Sequence, residues 1–207
     1  MTSKPSLLLH GFKLSGHSHR AELMLRLLGL SFDFHQVDLA GGEQKRPAFL
    51  ALNPFGQVPV LEDGDVVVAD SVAILVYLAT NYDPARTWLP TDPAQAAQVQ
   101  RWLSVAQGPV FNGPCSARLV KVFNADIDLA RAQKTAHALF QTLDPILDGR
   151  RYLVGDGPTI ADVALYSYIA HAPEGGVPLA DYPNIRSWIA TVESLPGFEA
   201  MAVTQAG

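Results

Sequence analysis

One cysteine in 207 residues is the sharpest scarcity in this sequence. A lone thiol, Cys115, excludes an intramolecular disulfide and any Cys-x-x-Cys motif, and it fits a reducing compartment. Charge of either sign is sparse. Lys and Arg number 15, Asp and Glu number 20, and the net charge is −5. Nucleic-acid binding needs a clustered basic patch, and the sequence contains none. Long apolar runs are missing too. VAILVYLA, from Val72 to Ala79, falls far short of the roughly 20 residues that span a bilayer. The opening MTSKPSLLLHGF is too poor in leucine for the apolar region of a signal peptide. The expectation is a cytoplasmic protein with no membrane and no nucleic-acid partner.

Apolar residues, by contrast, make up 48% of the chain, and charged residues 17%. That content builds a sizeable core, in one large or two small domains. Leu7 to Phe12 (LLLHGF) predicts a short buried strand. Leu23, Met24, Leu27 and Leu28 follow the helical period from about His17 to Leu28, and Gly29 suits a left-handed C-cap. Phe32 to Leu39 alternates as a second strand. A glycine turn leads to a short helix around Pro47 to Leu52. VPVLED and DVVVAD flank a hairpin turn at Asp63-Gly64, and Asp70-Ser71 opens a helix through Leu78. The order β-α-β-α-β-β-α describes a small mixed sheet with helices packed on it. Asn81 to Pro93 holds three prolines and breaks the pattern. Domain boundaries are therefore expected at 1–82, with a linker over 83–93 and an all-helical domain over 94–207. Its helices are expected over 94–107, 127–147, 160–171 and 185–194.

Between the first strand and its helix, SGHSHR (Ser15 to Arg20) crowds two serines and two histidines together. Serines there act first as caps, because their oxygens accept from orphan N–H groups. A reciprocal capping box is absent, since Ser15 has Ser18 three positions on and Ser18 has Ala21. A metal centre finds no support. His17 and His19 diverge by about 200° on a helix, and no HExxH or second cysteine joins them. The spacing Ser-Gly-His-Ser also falls where thioredoxin-like domains carry Cys-x-x-Cys. Such a site forms no disulfide, but its helix N-terminus favours an anion, and a hydroxyl there could donate to a thiolate brought by a ligand. Two other stretches would complete a site for a thiol peptide. Pro59 in NPFGQVPVLED is either an ordinary strand-opening proline or a cis proline that exposes the Val58 backbone to an extended peptide. Asp70-Ser71 is either a helix cap or a charged pocket, with Asp70 meeting an α-ammonium and Ser71 an α-carboxylate.

Taken together, these segments resemble the cytosolic glutathione S-transferases of bacterial, serine type. SGHSHRAELMLRLLGL resembles the family's SGNxxKVRLxLxxLGI. NPFGQVPVLEDGDVVVADSVAILVYLA resembles its NPxGxVPxLxDGxxxLxESxAIxxYL. GDGPTIADVALYSY is similar to a helix of its C-terminal domain, and YPNIRSWIATVESLPGF to its closing segment. The resemblance spans nearly the whole chain. It implies an α+β architecture, a thioredoxin-like domain followed by an all-α helical domain. It also implies a homodimer that binds glutathione as co-substrate, needs no metal, and takes a small hydrophobic electrophile.

On this resemblance Ser15 matches the catalytic Ser or Thr, with His17 and Ser18 as neighbours in the catalytic site. Val58, before a cis Pro59, matches the residue that pairs with the glutathione cysteine. Asp70 and Ser71 match the pair that holds the γ-glutamyl end, and Gln44 and Lys45 fall in the loop that meets the glycine end. Phe12, Phe111 and Tyr166 are candidates for the apolar electrophile pocket. Thr159 and Asp162 match an N-capping box with a role in folding. The implied activity is detoxifying glutathione transfer, with the thiol activated as a thiolate. Glutathione-dependent peroxide reduction would use the same residues, and a non-catalytic binding or regulatory protein would keep only the fold. His17 departs from a common Asn, and Asp70 is one methylene shorter than the commoner Glu. The first tyrosine is Tyr77 and no cysteine precedes Cys115, so tyrosine-type and cysteine-type mechanisms have no candidate.

Overall fold

The computed structural model describes residues 7–204; the first six, part of the leucine-poor opening stretch, lie outside that range. The chain divides into two compact units. Among the described residues, the first holds 7–84 together with Pro196–Ala202, and the second holds Ala85–Leu195 with 203–204.

The first unit runs β1 (Leu7–Gly11), α1 (Gly16–Leu27), β2 (Phe32–Gln36), a 3-10 turn (Glu43–Lys45), α2 (Pro47–Leu52), β3 (Val60–Asp63), β4 (Val66–Ala69) and α3 (Ser71–Asn81). The sheet order is β2-β1-β3-β4. β1 and β2 are parallel, with Leu9 opposite Phe34, as a strand-helix-strand crossover requires. β3 runs antiparallel to β1, and β4 to β3. Asp63 pairs with Val66, so the hairpin loop is Gly64-Asp65, one residue beyond the expected turn. Leu7, Leu9 and Leu61 are buried on the sheet, as are Leu23, Met24 and Leu25 of α1 and Ile74, Leu75 and Leu78 of α3. Each such side chain contributes about 1.5–3 kcal/mol by leaving water. Val37, Phe49 and Val60 form a smaller cluster with Leu52 of α2. These two sets of contacts fix where α1, α2 and α3 begin.

Residues 196–202 join this first unit rather than the helical one. The Glu199 carboxylate pairs with Arg26 at 2.6 Å, and its carbonyl oxygen lies 2.8 Å from His19 Nε2. Gly197, at φ 84, passes so close to α1 that a Cβ there would sit 2.7 Å from the Arg26 carbonyl oxygen. Only glycine fits both conditions. The first helix thus has its far side covered by the end of the chain.

The second unit comprises α4 (Pro93–Val105), a π-helical stretch (Ala106–Cys115), α5 (Ser116–Phe123), α6 (Leu129–Ile146), α7 (Ile160–Ala170), a 3-10 turn (Ala172–Gly175) and α8 (Pro183–Glu193). The expected break after residue 107 does not occur. Pro109 and Pro114 lie inside the helix, where a wider turn accommodates residues that would interrupt an α-helical ladder. Helix α7 carries a full capping box. The Thr159 side chain accepts from Ala161 N–H, and Asp162 accepts from Thr159 N–H at 2.9 Å. Asp162 also accepts from Leu153 N–H at 3.0 Å and from Trp188 Nε1–H at 2.9 Å. One buried carboxylate therefore pins α7, the loop before it and α8.

Replacing Asp162 by Ala strands those buried donors, each costing about 1–3 kcal/mol. Asp162→Ala should lose at least about 3 kcal/mol of stability in urea melts, and Asp162→Asn, which keeps one acceptor oxygen, should lose less.

Candidate active site

Two helices begin at one place in the first unit. Ser15 is the N-cap of α1, with extended backbone (φ −91, ψ 120), and its Oγ accepts the Ser18 N–H at 3.3 Å. The turn before it is closed by Ser15 N–H to the Phe12 carbonyl at 2.8 Å. Ser18 is fully buried, and its Oγ accepts from Phe12 N–H at 3.0 Å. Each serine oxygen accepts one backbone N–H, and the two residues differ in exposure. Ser18 ties down the loop from beneath, whereas Ser15 is half-buried, and its hydroxyl proton remains for donation once its oxygen has accepted.

Asp70 is the N-cap of α3, and its Oδ1 accepts from Val72 N–H at 2.8 Å and Ala73 N–H at 3.0 Å. It holds φ at 80 with ψ at 131, a region that costs a non-glycine residue about 1–3 kcal/mol. That conformation places the carboxylate over the helix N-terminus and sends the next residue inward. Ser71 is 2% exposed.

His17 and Arg20 join the two helix starts. His17 Nδ1 lies 3.3 Å from Ser71 Oγ, and Arg20 Nη1 lies 3.0 Å from His17 Nδ1 and 3.4 Å from Ser71 Oγ. Burial, reinforced by the Arg20 charge, lowers the His17 pKa to about 3. His17 is therefore neutral throughout the physiological range, and its Nδ1 faces Ser71.

Pro59 opens β3 through a cis peptide bond from Val58. The loop before it is braced by Asn53, whose Nδ2 donates to the Gln57 carbonyl at 2.8 Å. Lys45 Nζ donates to the carbonyls of Phe55 and Gly56 at 3.3 and 3.1 Å. Gln44 Nε2 donates to the Leu39 carbonyl at 3.3 Å. At Gly56 (φ 59) a Cβ would stand 2.7 Å from the Gln44 carbonyl oxygen, so glycine permits the 3-10 turn and the loop to pack together. Gln44 and Lys45 thus lie beside the segment that carries Val58.

Family models match over most of the chain. Residues 14–81 match "Glutathione S-transferase, N-terminal domain", and residues 114–196 match "Glutathione S-transferase, C-terminal domain". This chain belongs to the glutathione S-transferase family. A curated relative, Glutathione S-transferase 3 of Zea mays, is 35% identical over 205 residues, covering 93% of this chain and 91% of its own. A solved glutathione S-transferase from Pseudomonas fluorescens superposes with a TM-score of 0.88 at 33% identity, covering 94% of this chain and 98% of that one. A glutathione transferase homologue from Drosophila mojavensis, solved with bound glutathione, gives a TM-score of 0.81 at 29% identity, with 93% and 89% covered.

The transferase's apolar candidates divide between the units. Phe12 is half-buried beside Ser15 in the first unit. Phe111, 40% exposed, lies in the π-helical stretch of the second. Tyr166 is 1% exposed, and its hydroxyl donates to Glu193 at 2.8 Å. Burial and that carboxylate raise its pKa, so Tyr166 is committed to the packing of α7 against α8. Arg20 is the residue that sequence reasoning passed over, because an arginine in the first turns of a helix reads as solvated. The clue was its neighbourhood: a residue five positions after the capping serine, on a helix that continues into buried Leu23, Met24 and Leu25. Among the described residues no group of three or more His, Cys, Asp or Glu is placed to hold a metal ion, and no helix is long and apolar enough to cross a membrane.

The depressed His17 pKa predicts an acid-side loss of stability. The unfolded imidazole takes a proton near pH 6.5, and the folded one does not until about 3. Stability contributed by the neutral ring is complete above pH 6.5 and falls as pH drops, by up to about 1.4 kcal/mol per unit. Urea melts between pH 7 and 4 should show that slope in the wild type and a shallower one in His17→Asn.

Proposed function

We propose that this glutathione transferase holds glutathione along the edge formed by the Val58 backbone and the two helix starts, and that Ser15 supplies the thiol-activating hydrogen bond. The observation that carries the reading is the Ser15 hydroxyl, half-buried at the N-terminus of α1, with its oxygen already accepting from Ser18 N–H. Its proton then points to the ligand, and the helix N-terminus adds partial positive charge.

The γ-glutamyl end is assigned to α3. The Asp70 carboxylate takes the α-ammonium, and the Ser71 hydroxyl with the helix N-terminus takes the α-carboxylate. The Val58 N–H and C=O pair with the cysteinyl residue as an added strand would. Gln44 and Lys45 meet the glycine carboxylate. Ser18 and His17 support this cradle, because Ser18 is fully buried beneath the loop, with its Oγ accepting from Phe12 N–H, and His17 faces Ser71.

Glutathione's thiol, of pKa about 8.5 in the free state, is mostly protonated at pH 7. Lowering it by about two units needs roughly 2.7 kcal/mol, within reach of one hydrogen bond to a charged acceptor plus a helix dipole. The thiolate forms a C–S bond with an electrophilic carbon, and the leaving group departs with the electron pair of the bond it breaks. Holding both reactants supplies the orientation. The electrophile is a small hydrophobic compound, with Phe12 of the first unit offering apolar contact. We assign the protein to the cytoplasm, to detoxification and to a homodimer. Phe55, 81% exposed on the loop before Pro59, is an apolar side chain that such a dimer would cover.

Calorimetry and steady-state assay with an activated aryl halide test the reading. Wild type should bind glutathione, and Asp70→Asn, which keeps the capping oxygen, should bind about tenfold more weakly. Ser15→Ala should bind glutathione nearly as well but lose about 100-fold in kcat/KM at pH 7. A Ser15→Ala enzyme as active as wild type overturns the assignment of Ser15.

A further inference from the structure

The placement of Arg20 goes beyond the assignment of the ligand's contacts. Arg20 is fully buried, and burying a guanidinium is expensive unless its N–H groups are spent on well-placed acceptors. Two of those acceptors are His17 Nδ1 and Ser71 Oγ, at 3.0 and 3.4 Å. A guanidinium has donors and no acceptor. The contact to His17 Nδ1 therefore requires that nitrogen to carry its lone pair, which puts the ring proton on Nε2. Nδ1 has one in-plane lone pair. Arg20 stands closer to it than Ser71 does, at 3.0 against 3.3 Å. Ser71 is thereby out-competed as a donor to His17, while its own oxygen receives a second N–H of the same guanidinium group's nitrogen. A hydroxyl whose oxygen accepts from a cation is a stronger donor through its proton.

We propose that Arg20 is a positioning residue for the γ-glutamyl pocket: by occupying His17 Nδ1 and donating to Ser71 Oγ, it leaves the Ser71 hydroxyl proton directed at the ligand's α-carboxylate. The inference rests on the assignment of that carboxylate to Ser71. It makes His17 a decoy acceptor that Arg20 must block. Without Arg20, the Ser71 hydroxyl turns to His17 Nδ1 and presents its oxygen to the ligand, which a carboxylate rejects. The α1 and α3 helix starts are then coupled through a hydrogen-bond direction, in addition to their packing.

The test combines binding with the state of the imidazole. Arg20→Met should weaken glutathione binding roughly 10- to 100-fold by calorimetry. Combining it with Ser71→Ala should add little beyond the greater of the two single losses, because both remove the same donated proton. Adding His17→Phe to Arg20→Met removes the competing acceptor and should regain part of the lost affinity. A merely structural arginine would give additive losses and no such rescue, and either of those results overturns the proposal. Nitrogen-15 chemical shifts of His17 in the wild type provide a measurement that needs neither variant nor ligand. They should report a neutral ring protonated on Nε2, and a proton on Nδ1 overturns the inference whatever the ligand is. A wild type that binds no glutathione instead overturns the underlying assignment of the ligand, and that outcome is distinct from the tautomer.

Discussion

The candidate site depends on the hydrogen bonds that hold the start of α1 against the start of α3. A helix N-terminus presents unpaired N–H groups and partial positive charge, which suits an anion but repels another helix start. Here two such ends, at Ser15 and Asp70, are brought together with a buried arginine behind them. The structure accommodates this in three ways. His17 is kept neutral between them. Asp70 places a carboxylate over the end of α3, at a φ of 80 that few non-glycine residues adopt. Ser18, fully buried, satisfies the backbone of the loop entering α1. Two helix N-termini and the Arg20 guanidinium gathered in one place suit the anionic peptide proposed above.

The sheet and its loops keep that meeting point in place. Buried Leu23, Met24 and Leu25 fix α1, and Ile74, Leu75 and Leu78 fix α3. The far side of α1 is covered by residues 196–202, where Gly197 allows close approach. Beside the helix starts, the loop into β3 is stitched to the 3-10 turn by Lys45 and by the close approach at Gly56. Backbone carbonyls, caps and small residues share this work with ion pairs such as Arg26 with Glu22 and Glu199. Side chains on this frame are pre-organised, and a peptide ligand would therefore lose less entropy on binding than it would to a flexible loop.

Much of this was legible in the sequence because it is written in local, short-range chemistry. The Ser15 cap, the left-handed Gly29 (φ 66), the two-residue hairpin and the Thr159–Asp162 box all follow from residues within three or four positions of one another. What was not legible depends on distance. Arg20 looks like a solvated helix charge until α3 is folded against it. Residues 196–202 look like the tail of the helical domain until Glu199 meets Arg26 and His19. The helix expected to end at residue 107 continues through Pro109 and Pro114, since sequence pattern assumes an α-helical ladder and cannot anticipate a π-helical one. Tyr166 reads as a pocket aromatic, but Glu193, 27 positions away, claims its hydroxyl. The state of the Val58–Pro59 bond was open as well, and the fold resolves it as cis.

The central claim is that a serine hydroxyl at a helix N-terminus favours the thiolate of bound glutathione. Ultraviolet thiolate absorbance of the glutathione complex, titrated against pH in wild type and Ser15→Ala at saturating ligand, tests it most directly. The account predicts an apparent thiol pKa about two units below the free value of roughly 8.5 in the wild type, and a return toward the free value in Ser15→Ala. An equally depressed pKa in both proteins would contradict the account and transfer thiol activation from Ser15 to the helix N-terminus alone.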